Sequence, residues 1–200
     1  MKKEKGRKTA KNLPVLGTER LVLRLPRIAD APEIQKQAGK WAVAEMTANI
    51  PHPYKNGMAE KWIRKCRKCS GGTKPAVFVV TLRGSGKLVG ATGLHNISQK
   101  HRRAELGYWV AMSCWGKGYA TEAAAALLEY GFSVLGLNRI SAHHLKRNPA
   151  SRRVMQKIGM TYEGVKRQAE AKRTKNGFAK DQYDDLVFYG LLKKDWKRGL

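Results

Sequence analysis

One stretch constrains this chain more than any other: Trp115-Gly-Lys-Gly-Tyr-Ala120, set between the strand-like run Glu105 to Met112 and the apolar, alanine-rich run Thr121 to Leu135. A strand entering a helix through closely spaced glycines fits a layered α/β arrangement, in which sheet and helix bury their apolar sides against each other. Glycines let a backbone approach a ligand closely, and the unpaired N–H groups of a helix's first turn point outward at its positive end. The loop is therefore suited to a phosphate, although Gly116 and Gly118 taken alone read more readily as an ordinary turn.

The rest of the chain alternates strands and helices. Glu19 to Leu25 alternates as a half-buried strand, and Asp30, with Pro32 and Glu33 behind it, reads as the N-cap and capping box of a helix reaching about Lys40. Pro51-His-Pro-Tyr54 is a rigid break. From Asn56, Ala59, Trp62, Ile63 and Cys66 recur at helical spacing opposite Lys61, Arg64, Lys65, Arg67 and Lys68, and Gly71-Gly72 ends the run. Strands over Ala76 to Leu82 and Leu88 to Asn96 flank a glycine-bearing hairpin loop, and another strand runs from Arg103 to Val110. After the helix Thr121 to Leu135 come a strand from Arg139 to His144, a short helix opened by Asn148-Pro149 with Val154 and Ile158 facing inward, an extended piece from Thr161 and a last strand from Asp184 to Leu192. The first dozen residues and the Ala169 to Lys180 loop read as mobile. No internal repeat or linker divides the chain.

A length of 200 residues with 42% hydrophobic content suits one domain with a full core. No apolar run is long enough for a bilayer, and the basic N-terminus lacks the apolar segment of a secretory leader, which points to the cytoplasm. Cys66, Cys69 and Cys114 are an odd set, as expected of reduced thiols. Cys66-Arg-Lys-Cys69 has zinc-ligand spacing, but no second pair follows, so it reads as one helix face and no metal site is expected. Forty Lys+Arg against fifteen Asp+Glu give a net charge of +25, which suggests an anionic partner. The cations concentrate at Lys2 to Lys11, Lys61 to Lys74 and Lys166 to Lys180. These stretches suit either RNA phosphates or plain solvation, and no base-reading motif accompanies them.

Taken in order, Ala104-Glu-Leu-Gly-Tyr-Trp-Val110, Trp115-Gly-Lys-Gly-Tyr-Ala120 with Thr121-Glu-Ala123, and Asn148-Pro-Ala-Ser151 through Gly159-Met160 resemble the GNAT family of acetyl-CoA-dependent N-acetyltransferases. The match is close to its Rim-type branch, whose enzymes acetylate the N-terminal amines of ribosomal proteins, and Ile50-Pro-His-Pro-Tyr54 with Ala59 and Trp62 is similar to that branch too. The resemblance implies an α/β (α+β mixed) fold: a single GNAT-like domain over residues 16–200 behind a basic tail over 1–15. Its sheet would be twisted, mixed but mostly antiparallel, flanked by helices and splayed between the Arg103 to Val110 and Arg139 to His144 strands to take acetyl-CoA as cosubstrate. Backbone N–H groups of Trp115, Gly116, Lys117, Gly118, Tyr119 and Ala120 would hold the pyrophosphate, with the Thr121 hydroxyl an extra donor. Strand-edge groups of Tyr108, Trp109 and Val110 would pair with the pantetheine arm, and Asn148 would orient substrate or cofactor or simply cap its helix.

Two positions depart from the broad family pattern. Trp115 stands where the loop usually starts with Gln or Arg, a variant of the Rim-type branch. Met155 stands where many members carry a proton-donating tyrosine, and a thioether has no proton to give. Ser151 aligns with the branch's proposed acid, with Tyr162 a second candidate. Glu105 is the implied general base, on the expectation that a partly buried carboxylate has its pKa raised; the competing reading is an ion pair with Arg102 or Arg103. Transfer would be direct, with a backbone N–H of the Trp109 to Val110 region facing the oxyanion. The implied acceptor is the N-terminal amine of a ribosomal or other protein. A small amine, or a non-catalytic RNA- or ribosome-binding module on the same fold, are the alternatives, as monomer or homodimer and away from membranes.

Overall fold

The computed structural model of the chain describes residues 14–68 and 76–197. The basic tail, Cys69 and the Gly71-Gly72 helix end lie outside the described residues. Eight strands form one mixed sheet in the order β1-β2-β3-β4-β5-β6-β8-β7. They are β1 (Leu16–Gly17), β2 (Leu21–Arg24), β3 (Ala76–Leu82), β4 (Leu88–Ser98), β5 (Arg103–Val110), β6 (Arg139–Leu145), β7 (Thr161–Thr174) and β8 (Gly177–Leu192). Helices α1 (Ala31–Ala38), α2 (Trp41–Ala44), α3 (Met58–Lys68), α4 (Tyr119–Glu129) and α5 (Pro149–Lys157) complete the fold. All pairings are antiparallel except β5 with β6. That one parallel ladder spans only Arg103↔Arg139, Ala104↔Ile140 and Glu105↔Ser141, after which the strands part.

Side-chain alternation divides β5 between two cores. Ala104, Leu106, Tyr108 and Val110 turn to the larger one, shared with Leu127 and Leu128 of α4 and with Met155. Trp109 turns to the opposite face, under Ile34 of α1 and Ile63 of α3. Glu105 and Gly107 share the parity of Trp109, so β5 presents its carboxylate on one face and its tyrosine hydroxyl on the other.

Several expectations are corrected. The Thr121 to Leu135 helix starts earlier, at Tyr119, and yields at Tyr130 to a π-helical turn over Tyr130–Val134. Close packing accompanies the change: a Cβ on Gly131 would lie 2.6 Å from the Ile140 Cδ1, and Phe132 is wholly buried. Asp30 does not cap α1 with its side chain. Its carboxylate instead accepts from the Arg27 amide at 2.7 Å and from both Arg24 Nη atoms at 2.7 and 2.8 Å, while Glu33 accepts from Gln37. The segment Ala169 to Lys180 is no loose loop but the end of a two-stranded ribbon turning between Thr174 and Gly177. Cross-strand contacts hold it: Lys172 with Gln182 at 3.2 Å, and Arg173 both over the Phe178 ring and onto the Ala48 carbonyl at 2.7 Å. In the short helix Met155 is the buried residue and Val154 only partly so.

Charged groups in this frame set an acid limit. For Asp30 and Glu122, burial pushes the pKa up, but hydrogen bonds from Arg24 and the Arg27 amide, and from Thr18 and Arg20, outweigh it and leave each below its ordinary value. Arg139 likewise pulls Glu163 down. Burial lowers His95 and His144, which are therefore costly to protonate. All five folded values lie below the unfolded ones, so this stability is present at higher pH and is lost as pH falls, first through the imidazoles below about 6.5 and then through the carboxylates below about 4. The Tm is expected to decline in these two stages between pH 7 and pH 3; a level Tm across that range overturns the argument.

Candidate active site

The parting of β5 from β6 leaves the remainder of β5 with one unpaired edge. Alternation decides which groups that edge presents. The Ala111 amide donates to the Val89 carbonyl at 2.8 Å, on the β4 side, and β5 pairs with β4 through Gly90↔Val110 and Ala91↔Trp109. The Trp109 amide therefore faces β4, the Leu106 amide is used by the last ladder pair, Glu105↔Ser141, and beyond it the N–H groups of Tyr108 and Val110 face the gap. Of the expected strand-edge partners, Tyr108 and Val110 have the right parity, whereas Trp109 turns its backbone to β4 and its ring to the core under α1 and α3. The Val110 carbonyl is already engaged, since the Trp115 indole donates to it at 2.8 Å. The unusual loop residue thus ties the loop to the strand end.

The loop follows directly. Gly116 and Gly118 have φ of 73° and 79°, left-handed conformations that glycine adopts without strain, and α4 starts from Gly118 with no side-chain cap. The Trp115 amide, expected among the pyrophosphate donors, instead donates to the Met112 carbonyl at 3.2 Å; among the described residues the amides of Gly116 through Thr121 have no protein acceptor, so a row of N–H donors stands at the helix's positive end. Lys117 is exposed, and Tyr119, Ala120 and Thr121 are half-buried.

Sequence reading missed the clamp behind this loop. Glu122, in the first turn of α4, accepts from the Thr18 hydroxyl at 2.5 Å, the Arg20 amide at 2.9 Å and the Arg20 Nε at 2.7 Å. Arg20 also donates to the Lys117 carbonyl at 3.1 Å and lies 4.9 Å from the centre of the Tyr119 ring. A carboxylate so close to an anion site would repel its ligand, and the guanidinium neutralises it. No local signal marks this group, because Thr18 and Arg20 reach the loop from the other end of the chain.

On the wall of the gap toward α5, Ser151 Oγ and the Tyr108 hydroxyl lie 2.9 Å apart, and the tyrosine also donates to the Ser151 carbonyl. Burial pushes the Tyr108 hydroxyl up to about 12. Asn148 is a helix cap: its Oδ1 accepts from the Ser151 amide at 3.0 Å, and its Nδ2 donates to the Met46 carbonyl at 3.0 Å, tying α5 to the segment after α2. Tyr162 is exposed on the edge strand β7, against Tyr189. Cys66 and Cys114 are buried and in no disulfide.

Glu105 lies on the opposite face of β5. Its partner is neither Arg102 nor Arg103 but His143 on β6, whose Nδ1 is 2.8 Å from Oε1; Asn96 donates to Oε2 at 3.2 Å. The imidazole, with help from Asn96 and against the effect of burial, holds the carboxyl below its ordinary value rather than above it. His143 and His144 alternate as expected: His144 is buried on the α5 side, and His143 faces the other way.

The chain matches the family described as "Acetyltransferase (GNAT) domain" over residues 20–161. It is 30% identical over 186 residues to YdaF of Bacillus subtilis (strain 168), whose name proposes a ribosomal N-acetyltransferase; the match covers 90% of this chain and 94% of that one. Its fold is similar to a GNAT-family acetyltransferase from Bacillus anthracis, with a TM-score of 0.77, 26% identity, and 90% and 99% of the two chains covered. It is also similar to Mycobacterium smegmatis RimJ in complex with CoA-disulfide, with a TM-score of 0.72, 26% identity, and 87% and 82% covered.

Proposed function

The chain belongs to the GNAT family of acetyltransferases, and from that premise we propose that it moves the acetyl group of acetyl-CoA directly to the N-terminal amine of a ribosomal or other protein. The observation that carries the reading is the three-pair β5–β6 ladder opening toward a loop whose amides are free. Residues fit the ligand along its length. The amides from Gly116 to Thr121 would hold the diphosphate, and the Tyr108 edge with the Val110 amide would pair with an amide-bearing arm. The Val110 amide also suits a developing oxyanion. Glu105 supplies the negative charge that drives amine deprotonation on one face, and Ser151, bonded to Tyr108, supplies a hydroxyl for the departing sulfur on the other. The catalytic domain is read as residues 16–200.

The name of the Bacillus subtilis relative supports a ribosomal acceptor, and so does charge. Lys61, Arg64, Lys65 and Lys68 follow i, i+3, i+4, i+7 spacing, a single exposed stripe along α3 suited to RNA phosphates. Polyamine acceptors would meet a chain of +25 unfavourably. No described helix is long and apolar enough to cross a membrane. The odd set of three cysteines suits reduced thiols, and we take the protein to work in the cytoplasm. Incubation with labelled acetyl-CoA and ribosomal proteins, followed by peptide mass measurement, is expected to locate the label on an α-amine, with a rate on ribosomal particles that falls steeply with salt. Label only on small amines moves the acceptor class, and coenzyme binding without transfer to any amine reduces the protein to a binding module.

A further inference from the structure

The pair formed by Glu105 and His143 carries more than the family pattern assigns, on the reading that the acceptor amine meets the acetyl group at this end of the gap. His143 Nδ1 is buried 2.8 Å from Glu105 Oε1, at ion-pair distance though not aligned as a hydrogen bond. Its ring lies 5.3 Å from that of Phe188 on β8, tilted by 35°, which limits how far it can swing. The side chain is 22% exposed, and Nε2, unlike Nδ1, is neither buried nor hydrogen-bonded among the described residues. We propose that His143 Nε2, rather than the Glu105 carboxylate, takes the proton from the attacking amine, with Glu105 as the positioning residue that holds the ring and its tautomer.

The chemistry favours this division of labour. A carboxylate held below its ordinary value is a weak acceptor for a proton from an α-amine, whose pKa is about 8; an imidazole, ordinarily about 6.5, is better matched. The negative charge of Glu105 favours the proton on Nδ1, which leaves the Nε2 lone pair outward, and it stabilises the imidazolium once formed. As the nitrogen–carbon bond forms and the carbon–sulfur bond breaks, the amine proton passes to Nε2. The sulfur takes a proton from Ser151 Oγ on the other side of the gap. His143 then returns its proton to water and Ser151 regains one, so the net transfer is from nitrogen to sulfur.

The charged and titratable groups around the pair are Glu105 itself, His95 of β4 and Lys65 of α3 behind it, His144 next along β6, and Lys166 of β7, whose Nζ lies 4.6 Å over the Phe188 ring. The test is the pH dependence of kcat with acetyl-CoA and the acceptor found by mass measurement, for wild type, His143→Gln, Glu105→Gln and His95→Gln. His143→Gln is expected to lose about 10²- to 10⁴-fold in kcat together with the acid limb of the profile, at unchanged acetyl-CoA affinity. Glu105→Gln is expected to lose less and to keep that limb, because the imidazole that takes the proton remains. His95→Gln is expected to keep the limb in place. In the ligand-free protein, ring-nitrogen NMR shifts are expected to show His143 as the Nδ1–H tautomer, a preference that Glu105→Gln weakens. Loss of the acid limb in Glu105→Gln with near-normal turnover by His143→Gln overturns the proposal alone. Failure of wild type to acetylate any amine removes both the proposal and the reading beneath it.

Discussion

Changing Gly116 and Gly118 together to alanine is expected to weaken acetyl-CoA binding by roughly 30- to 1,000-fold. Both residues have positive φ, near 73° and 79°, and a left-handed conformation costs an L-residue about 1–2 kcal/mol. If each alanine holds the loop shape, the pair costs about 2–4 kcal/mol; if the loop relaxes instead, the amides no longer converge and the loss falls on binding. Around Gly116 no atom lies within 4 Å of an added Cβ, so the effect comes from backbone conformation and not from a clash. Calorimetric titration with acetyl-CoA measures it directly. A dissociation constant within about threefold of wild type would mean that these amides do not grip the diphosphate.

The second large effect concerns the position where many relatives carry a proton-donating tyrosine. Met155 is 1% exposed and packs within the main core, so Met155→Ala is expected to cost about 2–5 kcal/mol of stability, read as a fall in denaturation midpoint. Met155→Tyr is expected to destabilise as well, by about 1–3 kcal/mol, because the ring overfills the site and brings a hydroxyl into an apolar setting. It should bring no gain in kcat. A tyrosine variant that folds normally and turns over faster would show that this position still reaches the gap and that Ser151 does not serve as the acid.

Much of the framework was legible because it depends on local pattern. The strands Ala76–Leu82 and Arg103–Val110 begin and end where their patterning says, and the glycine loop opens its helix within two residues of expectation. What was not legible depends on partners far apart in the chain. Glu105 stands next to two arginines in sequence, yet the fold turns its carboxylate to a histidine on a neighbouring strand. Thr18 and Arg20 carry no mark of their role until β1 and β2 bring them to Glu122. The ribbon from Ala169 to Lys180 has the composition of a solvated loop, and only cross-strand pairs that no single-strand pattern announces make it regular. The π-helical turn at Tyr130 coincides with the close approach of Gly131 to Ile140, a tertiary contact that no local pattern announces.

The two-sided character of β5 has a further implication. Glu105 and Trp109 look one way, and Tyr108, with Ser151 beyond it, looks the other, while the donors of the glycine loop belong to neither side. On the function we propose, with the acceptor on the Glu105 face, acceptor preference drifts by substitutions on a single surface while the donors of the glycine loop stay in place. A scaffold partitioned in this manner is free to diversify its clients while conserving its currency.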